Sequence, residues 1–257
     1  QHDLGMLPLE DLATLSVDYA QNAVSFKTTR PEFAELPVAG KFRLYAGSFG
    51  TYLPYARLDF KLSDKVSLSV NAAGALSKGN FTYDEGLVRT NNDLEQYRGG
   101  VDLWGSMLDG NYHVKAYYNQ AERGTPGSVS WPSDDRQTDK NAFVQGFLKK
   151  KFGSLYTLRL SAKGSYDDIF YSSVWGDSNY GQTELQLNTA HDFQLTNWCK
   201  VSLAADVQWD NLASSMYDAS RVSTFTAIAS SFMTERVRAF PPRRFQKSSR
   251  RSSVPAL

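Results

Sequence analysis

One stretch of the sequence, residues 155–166, alternates between two kinds of side chain over its whole length. One set consists of Tyr156, Leu158, Leu160, Ala162, Gly164 and Tyr166. The other set consists of Thr157, Arg159, Ser161, Lys163 and Ser165. Because successive residues of a β-strand point to opposite faces, the pattern predicts a strand with one apolar face and one charged face.

The length of this strand narrows the choice of fold. Strands of soluble sheets usually contain about 5 to 6 residues, whereas a tilted strand needs about 10 or 11 residues to cross an apolar band roughly 25 Å tall. Arg159 and Lys163 could not be buried unpaired in a soluble core, but they can face a hydrated lumen. A long, twisted, half-exposed antiparallel sheet explains residues 141–166 equally well, so this hairpin alone leaves both folds open.

Composition excludes several other classes. The 28 lysines and arginines balance 27 aspartates and glutamates, so no strong basic field indicates a nucleic-acid partner. The single Cys199 excludes an internal disulfide framework and a cysteine metal cluster. No run of about 18 apolar residues is present, which excludes a transmembrane helix. The mean hydropathy of -0.43 is compatible with a membrane barrel, because alternation halves the hydropathy of each strand.

Ten alternating segments follow one another between residues 38 and 231. They cover residues 41–48, 52–62, 66–72, 97–107, 112–119, 141–151, 155–166, 181–193, 201–209 and 221–229. Connections after the second, fourth, sixth and eighth segments are only a few residues long. Connections after the third, fifth and seventh segments exceed ten residues, as in 122–140 and 167–180. The link after the first segment, at 49–51, is an exception because it is short. Short turns at one end and long loops at the other are typical of outer-membrane barrels.

Aromatic residues near the predicted strand ends fit the girdles that such barrels carry at the two membrane interfaces. These residues are Tyr45, Tyr97, Trp104, Tyr112, Tyr156, Tyr166 and Trp209. The alternative is that aromatic residues simply favour strands. We therefore expect an all-β fold, an antiparallel up-and-down transmembrane β-barrel that is partial and has about ten strands.

The two ends of the sequence depart from this pattern. Residues 13–17 and 22–29 predict two short strands, and the start at Gln1 shows no signal core, so either processing removed a signal or the chain is a fragment. Residues 232–257 contain six arginines and one lysine without alternation. We expect a basic, non-barrel tail there, either disordered or produced by loss of the natural reading frame near Ser231.

Three runs of residues resemble TonB-dependent outer-membrane receptors, in particular those of the Bacteroidota. Residues 3–12, DLGMLPLEDL, look like a segment of the plug domain, and residues 23–31, AVSFKTTRP, look like its last strand. Residues 122–129, ERGTPGSV, are similar to a run after the fifth barrel strand. The chain departs from the family because the early plug, the TonB box and about half of the 22 barrel strands are not among these residues.

The resemblance implies residues 1–31 as the end of a plug domain and residues 38–231 as the first part of the barrel. It implies a non-enzymatic receptor in the cell outer membrane that takes up a scarce nutrient: a siderophore, cobalamin or a glycan. The implied partners are outer-membrane lipid, the small nutrient ligand and the TonB complex acting through the plug, with no nucleic acid and no cofactor. The alternatives are a self-contained ten-stranded barrel, enzyme or porin, and a soluble glycan-binding β-sandwich.

No nucleophile–base arrangement, phosphate loop or zinc spacing is present, so we expect neither a catalytic nor a metal site. His113 follows the short turn at 109–111, and His191 precedes the one at 196–197. Both are expected to be ordinary lumen or interface residues. Asp134–Asp135 and Asp167–Asp168 could bind a hard cation but are expected to be solvated loop charges. Aromatic and charged residues in the long loops are the candidates for substrate binding: Arg123, Trp131, Phe170, Tyr171 and Trp175.

Overall fold

A computed structural model describes residues 12–18, 23–28, 30–33, 35–83, 86–196, 199–215 and 221–235. Fourteen strands are present in these ranges. They are β1 (Leu12–Asp18), β2 (Ala23–Thr28), β3 (Val38–Gly47), β4 (Thr51–Lys61), β5 (Val66–Ser77), β6 (Thr82–Tyr83), β7 (Leu87–Val88), β8 (Leu94–Met107), β9 (Gly110–Gly127), β10 (Pro132–Phe152), β11 (Tyr156–Ser173), β12 (Gly176–Gln194), β13 (Cys199–Ser214) and β14 (Arg221–Glu235).

Ten of these strands form one antiparallel sheet in which each strand pairs with its neighbour along the chain. The order is β3, β4, β5, β8, β9, β10, β11, β12, β13 and β14. The connection between β5 and β8 contains the small β6–β7 ladder, and β1 pairs with β2 in a third sheet. Within the described strands, β3 and β14 are the two edges of the large sheet. No described helix is long and apolar enough to span a bilayer.

The predicted all-β, up-and-down fold with ten long strands is confirmed. The turn predicted after Phe152 is also present, and Gly153 occupies it with φ +65°, a left-handed conformation that glycine adopts without steric cost. The short strands near 13–17 and 22–29 are present as β1 and β2. The last strand continues to Glu235, beyond the expected start of the tail at 232, and residues 236–257 lie outside the described residues.

The prediction of long loops at residues 122–140 and 167–180 is wrong. β9 and β10 continue to Gly127 and from Pro132, and β11 and β12 are separated only by residues 174–175. The strands therefore form long hairpins where loops were expected. The sequence misleads because polar residues occupy both faces of these extensions, so the apolar–polar alternation that marks a strand is missing although backbone pairing continues.

Candidate functional site

Two neighbouring rows of residues show how the sheet separates its side chains. One row runs across the sheet through Asp59, Ser69, Asp102, Lys115, Gln145, Lys163, Gln186 and Gln208. The next row runs through Leu58, Val70, Val101, Ala116, Val144, Gly164, Leu185 and Trp209. Adjacent residues of a strand point to opposite faces. We call the face of the first row the polar face and that of the second the apolar face.

Burial on these two faces is the reverse of that in a soluble protein. Buried polar residues on the polar face include Ser69, Asp102 and Asn119, which are 1%, 3% and 3% exposed. On the apolar face Phe42 and Val144 are 71% and 57% exposed. Soluble proteins bury large apolar side chains and leave charged ones in water. Large apolar side chains of the described strands are exposed on this face rather than packed against a second sheet, which argues against the predicted alternative of a β-sandwich.

Carboxylates on the polar face are held by ion pairs and hydrogen bonds. Asp102 Oδ1 lies 2.8 Å from His113 Nε2, and Asp102 Oδ2 lies 3.7 Å from Lys115 Nζ. On β11 and β12, Lys163 Nζ lies 3.3 Å from Glu184 Oε2. These pairs satisfy charges that would be costly to bury alone. The polar face is therefore a connected, ordered network that suits a hydrated lumen.

The apolar face carries an uncharged band of a definite height. On β11, Tyr156 and Tyr166 bound the band, and they enclose only Leu158, Leu160, Ala162 and Gly164 on that face. Ten residues rise about 33 Å along a strand, or roughly 25 Å along the normal of a sheet tilted by about 40°, which is the height of the apolar band of a membrane barrel.

The residues predicted to form aromatic girdles do not all lie on the apolar face. The apolar face carries five of its residues: Tyr97, Tyr112, Tyr156, Tyr166 and Trp209. The prediction is wrong for Tyr45 and Trp104, because strand register places both residues on the polar face. There Trp104 stacks on His113, with ring centroids 5.0 Å apart. Position near a strand end does not by itself place a residue on the apolar face, because successive residues of a strand point to opposite faces.

Beyond the band, the strands continue as hairpins that carry charge on both faces. On the continuation of the apolar face, Arg136 Nη2 lies 2.8 Å from Asp93 Oδ2, and Arg136 Nε lies 3.0 Å from Glu122 Oε1. The side-chain amide of Asn91 donates to the backbone oxygens of Ser133 and Asp135 at 2.9 and 2.8 Å. These contacts fasten residues 78–83 and 86–93, which we call the strap, to the β9–β10 hairpin.

The other side of the strap packs against the turn between β3 and β4. The Phe49 and Phe81 rings meet edge to face with centroids 6.0 Å apart, and the Lys78 backbone N–H donates to the Phe49 oxygen at 3.0 Å. The strap therefore bridges two hairpins. Sequence reasoning missed this arrangement, because no local pattern joins Asn91 to a strand more than 40 residues away.

Hydrogen bonding shifts the pKa values of groups in the hairpin extensions. Arg136 holds the pKa of Asp93 below its ordinary value of 3.8 by hydrogen bonding and charge. The Tyr171 hydroxyl donates to Asp135 Oδ2 at 2.6 Å, and this bond, with a second from Ser133, lowers the pKa of Asp135. The same bond raises the pKa of the Tyr171 phenol. Both carboxylates are therefore charged at neutral pH.

The five predicted substrate-binding residues do not form a single cluster. Arg123 and Tyr171 both lie on the polar face, in one row on either side of Gln137. Two strand spacings, or about 9.6 Å, therefore separate their backbones. Phe170 lies on the opposite face. Trp131 and Trp175 are at the tips of two hairpins and are 82% and 94% exposed. Arg123, Phe170 and Tyr171 are thus strand residues, which corrects their predicted placement in loops.

The other predicted side-chain positions have ordinary partners. His191 lies on the apolar face, where its Nδ1 is 2.7 Å from the Tyr156 hydroxyl. Asp167 accepts a hydrogen bond from the Asn141 side chain. Among the described residues, no group of three or more histidines, cysteines or carboxylates is arranged to hold a metal ion.

Comparison with solved structures gives a match to the sheet. The siderophore receptor PiuA from Acinetobacter baumannii aligns over 82% of this chain and 40% of its own, with a TM-score of 0.57 and 9% sequence identity. The copper transporter OprC aligns over 82% and 43%, with a TM-score of 0.45 and 10% identity. The ferric yersiniabactin uptake receptor FyuA from Yersinia pestis aligns over 71% and 34%, with a TM-score of 0.36 and 8% identity.

The chain therefore shares its fold with part of PiuA and spans less than half the length of that protein. At TM-scores below 0.5, the other two matches say nothing further about the fold. No protein-family model matches the chain. A search of curated protein sequences also gives no match.

Proposed function

We propose that the chain forms part of the barrel wall of a TonB-dependent receptor of the Bacteroidota type in the cell outer membrane. The observation that carries this proposal is the pair of adjacent rows, one entirely polar and one entirely apolar, that cross eight strands. A bilayer on one side and a hydrated lumen on the other is the environment that suits both rows. The shared fold with the siderophore receptor PiuA supports the same conclusion.

In this proposal the receptor imports a scarce nutrient, and the chain contributes no enzymatic step. Its partners are outer-membrane lipid, the nutrient and the TonB complex, which acts through the plug to which residues 1–31 belong. Residues 38–231 form the first part of the barrel wall, and the remaining strands come from the rest of a longer receptor. A self-contained ten-stranded barrel would need β3 to pair with β14, whereas they are opposite edges of the sheet.

We assign the first contact with the nutrient to the hairpin extensions. Arg123 and Tyr171, on either side of Gln137 on the polar face, offer a cation and an aromatic ring. The exposed Trp131 and Trp175 at the hairpin tips offer two more stacking surfaces. A ferric siderophore, cobalamin and an oligosaccharide are the three probes to titrate. Quenching of Trp131 or Trp175 fluorescence by one probe, lost in Arg123→Ala, would identify the nutrient class.

Tryptophan quenching tests the membrane orientation directly. Trp209 lies on the apolar face and Trp104 on the polar face, so single-tryptophan variants report the two faces separately. In liposomes of acyl-brominated lipid we expect strong quenching of Trp209 and weak quenching of Trp104. Equal quenching of the two residues, or recovery of the folded chain as a soluble monomer without detergent, would contradict the proposal.

A further inference from the structure

The strap begins where the apolar face of β4 and β5 ends. Tyr52 and Leu76 pair with each other, and they are the apolar-face residues closest to the turn at 48–50 and to the strap. On the neighbouring strand β8, Glu95 lies opposite Leu76 and is the first charged residue of this face. The strap therefore leaves the sheet at the edge of the uncharged band that is nearer the hairpin extensions.

Contacts with β9 and β10 show on which side of the sheet the strap lies. Asn91 packs so closely on Gly124 of β9 that a Cβ atom at this glycine would clash with the Asn91 backbone. Gly124 pairs with Arg136, which holds Asp93 from the continuation of the apolar face. The strap therefore lies on the bilayer side of the sheet and not over the polar face.

Aromatic rings form a continuous row from the β3–β4 turn into the strap. The Phe49 and Phe81 rings have centroids 6.0 Å apart, and the Phe81 and Tyr83 rings have centroids 6.2 Å apart. Tyr83 pairs with Leu87 in the small β6–β7 ladder, which places the leucine beside the end of the row. The strap thus presents aromatic and aliphatic side chains together.

This apolar group is exposed and continues the apolar face. Phe49, Tyr52 and Leu87 are each more than half exposed, and Phe81 is also exposed. Tyr52 belongs to the apolar face and is only three residues from Phe49. A contiguous apolar patch at a protein surface indicates an interaction site. Because this patch extends the face assigned to the bilayer, lipid is the partner that fits it.

Lys78 marks the level at which the apolar surface gives way to charge. Its side chain lies against Gly50, where a Cβ atom would be 3.1 Å from Lys78 Cγ, and the residue as a whole is exposed. Lysines near a membrane boundary lay their methylene groups on apolar surface and extend the ammonium group to the polar region. Aromatic side chains are enriched at the same boundary.

We propose that the strap is an interfacial lipid anchor, with Phe81, Tyr83 and Leu87 among the acyl-chain segments next to the headgroups and the Lys78 ammonium at the lipid phosphates. This inference rests on the proposed contact of the apolar face with a bilayer. Because Asn91 ties the strap to the β9–β10 hairpin, the anchor holds the tip of that hairpin at a fixed height above the membrane.

Spin-label depth measurements on the full chain in phosphatidylcholine–phosphatidylglycerol liposomes test the anchor. The single native cysteine is first removed by Cys199→Ser, and labels are then attached to Leu87→Cys, Val144→Cys or Val129→Cys. Oxygen collects among acyl chains, whereas a nickel chelate stays in water. We expect the oxygen-to-nickel accessibility ratio at Leu87 to exceed that at Val129 several-fold and to approach that at Val144 on the apolar face.

The two reference positions make the outcomes distinguishable. Val129 lies at the tip of the β9–β10 hairpin and is 59% exposed, close to the 56% of Leu87, so it is the matched control in water. Lipid exposure at Val144 together with equal water exposure at Leu87 and Val129 would overturn the anchor while the barrel-wall proposal stands. Water exposure at Val144 would contradict both.

Tryptophan fluorescence gives a second measurement that needs no label. In single-tryptophan variants, Phe81→Trp should be quenched several-fold more than Trp131 by lipid that is brominated near the headgroup, because Trp131 lies at a hairpin tip. Trp209 on the apolar face is the positive control. Strong quenching of Trp209 with equally weak quenching at positions 81 and 131 would also overturn the anchor.

Discussion

Asp192 is a carboxylate that the polar face surrounds with donors. Arg159 Nη2 lies 2.9 Å from Asp192 Oδ2, the Ser202 hydroxyl donates to Oδ1 at 2.6 Å, and Lys200 Nζ lies 3.5 Å away. The Asp192 side chain is 10% exposed, whereas Arg159 and Lys200 are over 40% exposed. Water therefore screens the cations more than the carboxylate, and the net value of the cluster is modest.

Replacing Asp192 with asparagine should lower the free energy of unfolding by about 1–2 kcal/mol, because the amide keeps the shape but leaves two cations without a carboxylate. The measurement is urea unfolding in detergent micelles. Asp206→Asn on the adjacent strand is the matched control, since the Asp206–Asn188 hydrogen bond is exposed, and it should change the free energy by less than about 0.5 kcal/mol. Equal effects of the two variants would refute the role given to Asp192.

At the scale of elements, the strap is held to the β9–β10 hairpin by a few polar contacts. Arg136→Ala removes the ion pairs to Asp93 and Glu122. We expect trypsin to cleave after Arg89 several-fold faster, because local opening becomes easier, while the global free energy of unfolding falls by about 1 kcal/mol or less. Lys140→Ala, on the same strand and face, should leave the cleavage rate unchanged. Protection that survives in Arg136→Ala would show that the strap is held by other contacts.

Acid should loosen the strap through Asp93. Its pKa in the folded chain is lower than the ordinary value of 3.8, so its stabilising contribution is complete above that value and is lost as the pH falls through the folded pKa. Hydrogen exchange in the strap, corrected for the intrinsic rate, should therefore be constant at pH 5–7 and rise below about pH 4. Asp93→Asn should exchange faster at neutral pH and show a smaller increase on acidification. An unchanged pH profile in Asp93→Asn would assign the response to another group.

At the scale of the whole molecule, a bilayer should distinguish two neighbouring residues near the middle of β11. Ala162 is exposed on the apolar face, and Ser161 lies on the polar face. Ala162→Arg should lower the free energy of unfolding in lipid by about 2–4 kcal/mol, the cost of a cation near the bilayer midplane. Ser161→Arg should change it by less than about 1 kcal/mol. Equal costs in liposome unfolding experiments would contradict a membrane on the apolar face.

The outline of the sheet could be predicted because its central strands alternate locally. Residues 155–166 determine which side chains share a face without reference to any other part of the chain. The hairpin extensions could not be predicted in this way, because successive residues such as Gln137 and Thr138 lie on opposite faces and are both polar. Their strand structure comes from cross-strand hydrogen bonding to β9 and β11.

The sequence by itself determined the ten long strands, the turn at Gly153 and the presence of one apolar and one charged face, because these depend on neighbours a few residues apart. Only the tertiary structure decided that Arg123 and Tyr171 share a face while Phe170 does not. It also decided that Asn91 and Arg136 fasten the strap to the β9–β10 hairpin. These features depend on pairing register between distant segments, and a shift of one residue would reverse every face.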